Sequence, residues 1–345
     1  MNLKKISIGS KFVDGPWGGG NSFAIQLKKY LLNKGFEVVN NLEDIDIDLI
    51  LLTEPRRHTQ ISSFTHIEID NYLRDVNPNT IVVNRINECD ERKDTRGLNN
   101  FLMNTSLVAD HTVFISEWLS ELFLQQGFTK ERYSIIRNGA DENIFKSKQK
   151  AKNQKIKIVT HHWGDNKNKG KSIYEKLDEL LENKEFSEKF EFSYIGKLPK
   201  NTNFRNTIIV EPKHGALLGE ELNRHDLYIT GSINEPAGMH HIEGAMCGLP
   251  VLYIESGGIT EYCKGYGLAY NENNLVEKLF EISRNYDFYK NKSKNYPHIG
   301  KVMCESYLEL FNNLYSNRKS VKYDRDKNNY KLKKQHKLFK SYIYI

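Results

Sequence analysis

The sequence has no run of about 18 apolar residues, the length a membrane-crossing helix needs. Its opening, MNLKKISIGSKFVDGPW, lacks the apolar centre of a secretion signal. Cysteine is scarce. Cys89, Cys247, Cys263 and Cys304 form no CxxC pair and have no histidines at zinc-ligand spacing. A disulfide-stapled scaffold and a zinc finger are therefore poor readings, and a reducing cytoplasm is the expected setting. Charge of one sign is also missing from most of the chain. The net charge is +6, but residues 316–345 hold ten Lys/Arg and two Asp, or +8. Subtracting these from the 50 basic and 44 acidic residues leaves 40 and 42, so residues 1–315 carry −2. A nucleic-acid footprint over the whole body is therefore a poor reading, and a basic appendage a better one.

What is present is an alternation. The 345 residues exceed one ordinary core, and two domains of about 150 residues each are expected. KKISIGSKF, FEVV, IDLILLTE, TIVVNRIN, HTVFIS and YSIIRNG read as strands, the third continuously apolar as a buried parallel strand would be. Helical patterns lie between several of them, including SFAIQLKKYLLNKG, FLMNTSLVAD and EWLSELFLQQG. The polar KSKQKAKNQK, 146–155, reads as a linker. Strands KIKIVTHH, FEFSYIG, TIIVEP, DLYITGS and LPVLYI then follow, with helical segments among and after them. This predicts two doubly wound α/β domains, 1–150 and 151–298, then a helix over about 299–320 and a basic tail, 321–345. Ligands of such sheets sit beyond the carboxyl ends of the strands, here in the cleft between two sheets.

The stretch NEPAGMHHIEGAMCGLPVLYIESGGITEYC follows the strand DLYITGS. Pro236 suits a first helical turn, and Gly248 a helix end. A helix starting at Pro236 would turn its free N–H groups toward an anion, and Gly238 would let a ligand approach closely. Glu235 and Glu243 are eight positions apart, about 12 Å at helical rise, and a glycoside-hydrolysing acid pair needs about 5–9.5 Å. The spacing suits a ligand with hydroxyls at both ends and an anion between, such as a nucleotide-diphosphate sugar. Gly257 and Gly258 offer a second close approach.

Glu235-Pro-Ala-Gly238, Glu243-Gly-Ala-Met-Cys-Gly248-Leu-Pro250 and Gly257-Gly258-Ile-Thr-Glu261 resemble the EX7E signature of glycosyltransferase family 4. NGADENIF, 138–145, and GPWGGGNSFAIQLKKYLLNKGFEV are similar to two further segments of that family. The resemblance implies the GT-B fold, two Rossmann-like domains facing a central cleft. It implies retaining transfer from a nucleotide sugar, with no metal and no cofactor beyond that co-substrate. It implies that Glu235 contacts the donor sugar and Glu243 the ribose. Gly238, Met239, Gly257 and Gly258 would present N–H groups to sugar or diphosphate, and Lys169 would hold the diphosphate. An arginine is also implied in THHWGDNKNKGKS; His161, His162, Trp163 or Gly164 stands there instead. The last helix is implied to cross back to the first domain.

Gly19 and Gly20 lie in a loop where donor or acceptor can approach the first helix; G-x-x-G-G-G is not the dinucleotide spacing. Asn87 and Asp90 stand at a strand end crowded with Arg85, Glu88, Arg92 and Lys93, and are expected to face acceptor or sugar. His240 and His241 are adjacent and point to different helix faces, against joint metal chelation. The tail KLKKQHKLFKSYIYI mixes lysines with aromatics, as does a segment resting on an anionic membrane, although a solvated terminus explains it equally. The acceptor is expected to be a glycan or a lipid-linked glycan, with nucleic acid disfavoured. An epimerase or phosphorylase on the same architecture, or a non-catalytic nucleotide-sugar scaffold, are the competing readings.

Overall fold

The computed structural model describes residues 3–322 and 325, apart from 16, 130, 131, 150–152 and 165. The lysine- and aromatic-rich end of the tail, with its expected membrane contact, lies outside the described residues.

The first domain is built on β1 (Lys5–Ile8), β2 (Glu37–Val39), β3 (Leu49–Leu52), β4 (Ile81–Ile86), β5 (His111–Phe114) and β6 (Tyr133–Ile135). They lie in the order β2-β1-β3-β4-β5-β6, all pairings parallel. Every residue of β3 and β4 is buried, because helices cover both faces of a parallel sheet.

The second domain uses β7 (Ile156–His162), β8 (Phe190–Gly196), β9 (Ile208–Val210), β10 (Leu227–Thr230), β11 (Val251–Ile254) and β12 (Gly267–Tyr270). Their order, β9-β8-β7-β10-β11-β12, is again parallel throughout. Counted from β7 this is 3-2-1-4-5-6, the Rossmann order, whose crevice opens between the first and fourth strands. Here those are β7 and β10. The residues that follow them therefore share one crevice, although tens of positions separate them in sequence.

The eleven strands read from the sequence all form. β12 was not foreseen, since GLAY is short and begins on a glycine. Nor was the helix His66–Asp75, which starts with a capping box: Thr65 N–H donates to Glu68 Oε2 at 2.8 Å.

The domains share an apolar core. One cluster joins Phe114, Leu119 and Phe123 of the first to Leu218, Tyr228, Ile242 and Tyr262 of the second. The helix Gly300–Ser316 packs on the helix Gly19–Asn33 of the first domain, with Tyr307 and Phe23 ring centroids 5.0 Å apart. Its entry is tied to the chain leaving the first domain: Gly300 N–H donates to Ala140 O at 2.7 Å, and Ala140 N–H to His298 O at 3.2 Å. Among the described residues, no helix is long and apolar enough to cross a membrane.

Candidate active site

The helix expected from Pro236 starts three residues later, at Met239, and runs to Met246. Gly238 is the reason. Its φ of 72° is a conformation helices do not contain, so Pro236 stays in the approach to the helix. A side chain at Gly238 would stand 2.7 Å from the His240 ring and 3.0 Å from Glu235 Cγ. The helix closes as the sequence indicates. Gly248, at φ 78°, donates to Ala245 O at 2.8 Å and Leu249 to Gly244 O at 3.2 Å, a Schellman pair. Glu235 thus precedes the helix and Glu243 lies within it, so helical rise does not set their separation.

Glu235 is 5% exposed, and each of its oxygens has a cation. Lys169, following β7, places Nζ 2.5 Å from Oε2; Arg92, following β4 of the first domain, donates from Nε to Oε1 at 2.9 Å. Burial would raise the Glu235 carboxyl, but the Arg92 and Lys169 charges outweigh it and hold the group at about 2. Burial and the nearby Arg92 push the Lys169 ammonium down, against the pull of Glu235. Arg92 also donates from Nη1 to Glu88 at 2.7 Å, and Lys93 Nζ lies 2.7 Å from the same oxygen.

Glu243 faces the interior end of the crevice. Its Oε2 lies 2.8 Å from Nε2 of His161, whose Nδ1 is 3.1 Å from the Tyr228 hydroxyl. His162 is turned elsewhere: its Nε2 lies 2.7 Å from the Tyr174 hydroxyl, and its ring is 4.7 Å from that of His240. Burial keeps His162 and His240 well below the ordinary histidine value and lowers His241 to about 4. These rings are neutral walls at neutral pH. Among the described residues, no three His, Cys, Asp or Glu side chains converge to hold a metal ion.

The glycine pair has a packing role. A Cβ on Gly257 would stand 2.5 Å from Glu235 O, and one on Gly258 2.1 Å from Pro236 O. Gly258 N–H donates to Glu235 O at 2.9 Å. The Gly258 N–H, expected to face sugar or diphosphate, is thus taken by Glu235 O, and the loop after β11 braces the Glu235 loop.

From the first domain, Gly19 approaches Met239 so closely that an added Cβ would lie 2.6 Å from its Cγ. Gly20 faces Asn87, whose Nδ2 would be 3.5 Å from such a Cβ. Gly19, Gly20, Asn87 and Met239 thus gather at the mouth of the crevice. Asp90 does not join them. One oxygen accepts from the Thr95 hydroxyl at 2.8 Å and Leu98 N–H at 3.1 Å, the other from Asn99 N–H at 2.9 Å. It caps the helix Leu98–Thr105.

The residue the sequence reading left without a role is Arg92. Only its place among several charges after β4 marked it, and nothing local pairs it with Glu235 across 143 positions.

No protein family's profile matches the sequence, and no curated protein matches it. Solved structures do match in shape. Sucrose-phosphate synthase from Thermosynechococcus elongatus superposes with a TM-score of 0.65 at 12% identity, over 91% of this chain and 100% of that one. HepE of Anabaena in complex with UDP-glucose gives 0.65 at 14% identity, over 89% and 98%. An alpha-glucosyltransferase in complex with UDP and a 13-mer DNA containing a HMU base gives 0.63 at 11%, over 90% and 99%. The fold is GT-B. In GT-B terms, the Glu235–Lys169 crevice sits at the switch point of the second Rossmann-like sheet and faces the first domain.

Proposed function

We propose that this chain is a glycosyltransferase that moves a sugar from a nucleotide-diphosphate sugar to a glycan or lipid-linked glycan. The observation that carries the reading is the convergence, at the β7/β10 crevice, of Lys169, Glu235, Glu243 and the start of the helix Met239–Met246. The first N–H groups of that helix have no carbonyl partner within it and present a positive dipole end. HepE, of the same fold, was solved with UDP-glucose, which supports this donor class.

In this reading Glu243 binds the ribose and Glu235 the transferred sugar. Each Glu235 oxygen keeps a second lone pair for a sugar hydroxyl. Held at about 2, Glu235 is a weak base, so its contribution is to orient and to stabilise positive charge at the anomeric carbon. The bond from that carbon to the diphosphate breaks as the acceptor oxygen bonds to it. The acceptor's proton passes to the departing phosphate oxygen on the same face, which retains the anomeric configuration. Lys169 and the helix end offset the developing charge without a divalent ion.

The test is incubation of the purified protein with UDP-, GDP- and ADP-sugars and oligosaccharide acceptors, with and without EDTA. Release of nucleoside diphosphate and an NMR assignment of the product linkage are the readouts. A retained linkage formed in EDTA is expected. Interconversion of the sugar with no nucleotide released would mean an epimerase, and binding without turnover a scaffold.

A further inference from the structure

Two cations hold Glu235, and they come from different domains: Lys169 from the second and Arg92 from the first. Three cations, Arg92, Lys93 and Lys169, surround two carboxylates, Glu88 and Glu235, which leaves one positive charge. The N-terminus of the helix Met239–Met246 adds to that surplus, since Gly238 abuts Glu235. An unbalanced positive charge in a part-buried cluster favours an anion beside it.

The position of Arg92 is fixed from the second domain. Asn168 Nδ2, next to Lys169, donates to Arg92 O at 3.1 Å and Glu91 O at 3.3 Å. Asn168 O in turn accepts from Ile233 N–H at 2.9 Å, two residues before Glu235. The Arg92 backbone, the Lys169 turn and the Glu235 loop are therefore one hydrogen-bonded unit. Arg92 is also the most open member of the trio. Its side chain is 23% exposed, against 12% for Lys169 and 6% for Glu235. Of its five N–H groups, Nε–H serves Glu235 and one on Nη1 serves Glu88. The remainder can meet an oxyanion, and the planar fork is the geometry suited to phosphate.

We propose that Arg92 is a donor-binding residue, the second cation on the diphosphate, so that the phosphate clasp is divided between the two domains. This rests on the nucleotide-sugar reading above. A first-domain arginine on the diphosphate means that the donor is gripped from both domains at once.

The test is calorimetric titration of wild type, Arg92→Met, Arg92→Lys and Lys93→Met with UDP, GDP and ADP, and with the matching monophosphates. With the preferred base, Arg92→Met is expected to weaken the diphosphate about 10- to 100-fold, the loss of one or two charge-assisted hydrogen bonds. The monophosphate should change less than about 3-fold, because the specific loss is at the second phosphate. Arg92→Lys keeps the charge without the fork and should fall between. Should Arg92→Met fail to fold by circular dichroism, Arg92→Lys supplies the comparison. Lys93 pairs with Glu88 and presents no fork, so Lys93→Met removes one charge from the cluster and should weaken monophosphate and diphosphate by the same factor, leaving their ratio at the wild-type value. Equal losses for mono- and diphosphate in the Arg92 variants, or none, would overturn the assignment. Wild-type protein that binds none of the diphosphates would instead overturn the donor reading itself.

Discussion

Glu261, in the second domain, caps a helix of the first: its two oxygens accept from Trp118 N–H at 2.7 Å and Glu117 N–H at 2.9 Å. Arg137 Nη2 adds a contact at 3.0 Å. The next residue continues the join. Tyr262 donates its hydroxyl to Ile115 O at 2.5 Å and accepts from Asn138 N–H at 2.8 Å. Asn138 in turn receives Arg85 Nη2 at 2.8 Å, whose guanidinium lies 3.9 Å from the centre of the Phe23 ring. A sequence of polar contacts thus runs from the floor of the first sheet into the second domain.

Glu261→Ala should therefore cost about 1–2 kcal/mol, the usual worth of a helix cap. Ser116 still caps Leu119 N–H, which keeps the helix itself. Differential scanning calorimetry is the check. Separate melting of the two domains in the variant, against a single transition in wild type, would show that the loss is in their coupling.

Acid should destabilise the protein in two stages. His241 and His298 are held at about 4 by burial, below their ordinary 6.5. Lowered histidine values mean that the unfolded chain binds more protons, so stability is complete above pH 6.5 and declines toward pH 4. Each contributes about 1.4 kcal/mol per pH unit in that window. Glu235, lowered from 4.5 to about 2, contributes stability above 4.5 that is lost as pH falls to 2. Urea melts from pH 8 to 3 should show the first slope in Glu235→Gln and both in wild type; a flat profile down to pH 5 would refute the histidine part.

Gly258→Ala should be among the most damaging single-atom additions. Its methyl would meet Pro236 O at 2.1 Å and Ser116 Oγ at 2.7 Å, contacts that require the two loops to part. A loss of at least about 2 kcal/mol is expected, with transfer activity reduced because the Glu235 loop moves. Thermal melts and initial rates together test this. Near-native values in both would mean the loops yield easily.

The two glutamates should separate kinetically. Glu243→Ala is expected to raise the donor KM about 10-fold with kcat little changed, as loss of uniform binding does. Glu235→Ala should lower kcat by about 100-fold or more if, as proposed, its oxygens act on the reacting sugar. The structure adds a complication to the second: without Glu235, Lys169 loses its carboxylate and Arg92 keeps only Glu88, so Glu235→Gln is the cleaner partner variant. Identical effects on KM and kcat in both positions would refute the division of roles.

The strands could be read from composition because buried parallel strands are short apolar runs: β3 is apolar throughout and β4 opens on Ile-Val-Val. Glu235 and Glu243 drew notice through their spacing in the stretch after β10, and Lys169 only through the family resemblance; the structure places Lys169 beside Glu235. The helix start could not, since Pro236 is a legitimate first-turn residue and only the φ of Gly238 displaces it. Thr65 and Glu68 did carry a readable signature, three positions apart, that marks the helix His66–Asp75. Asp90 is expected from the sequence to face acceptor or sugar because two of its three partners, Leu98 and Asn99, are main-chain donors that no side-chain pattern reveals. Arg92 is a tertiary fact. Only the docking of the two sheets brings it to Glu235.

The polypeptide passes between the halves twice, and at Ala140 and Ile299 the two passages lie side by side as a parallel bridge. A Cβ on Gly139 would strike Ile299 O at 2.2 Å, so the crossings are pressed together with nothing between them. Each passage is thus held by the other, through Gly300 N–H to Ala140 O and Ala140 N–H to His298 O. The Arg92–Glu235 pair is a further join between the halves, so parting them would mean breaking main-chain hydrogen bonds at the crossings and an ion pair at the crevice.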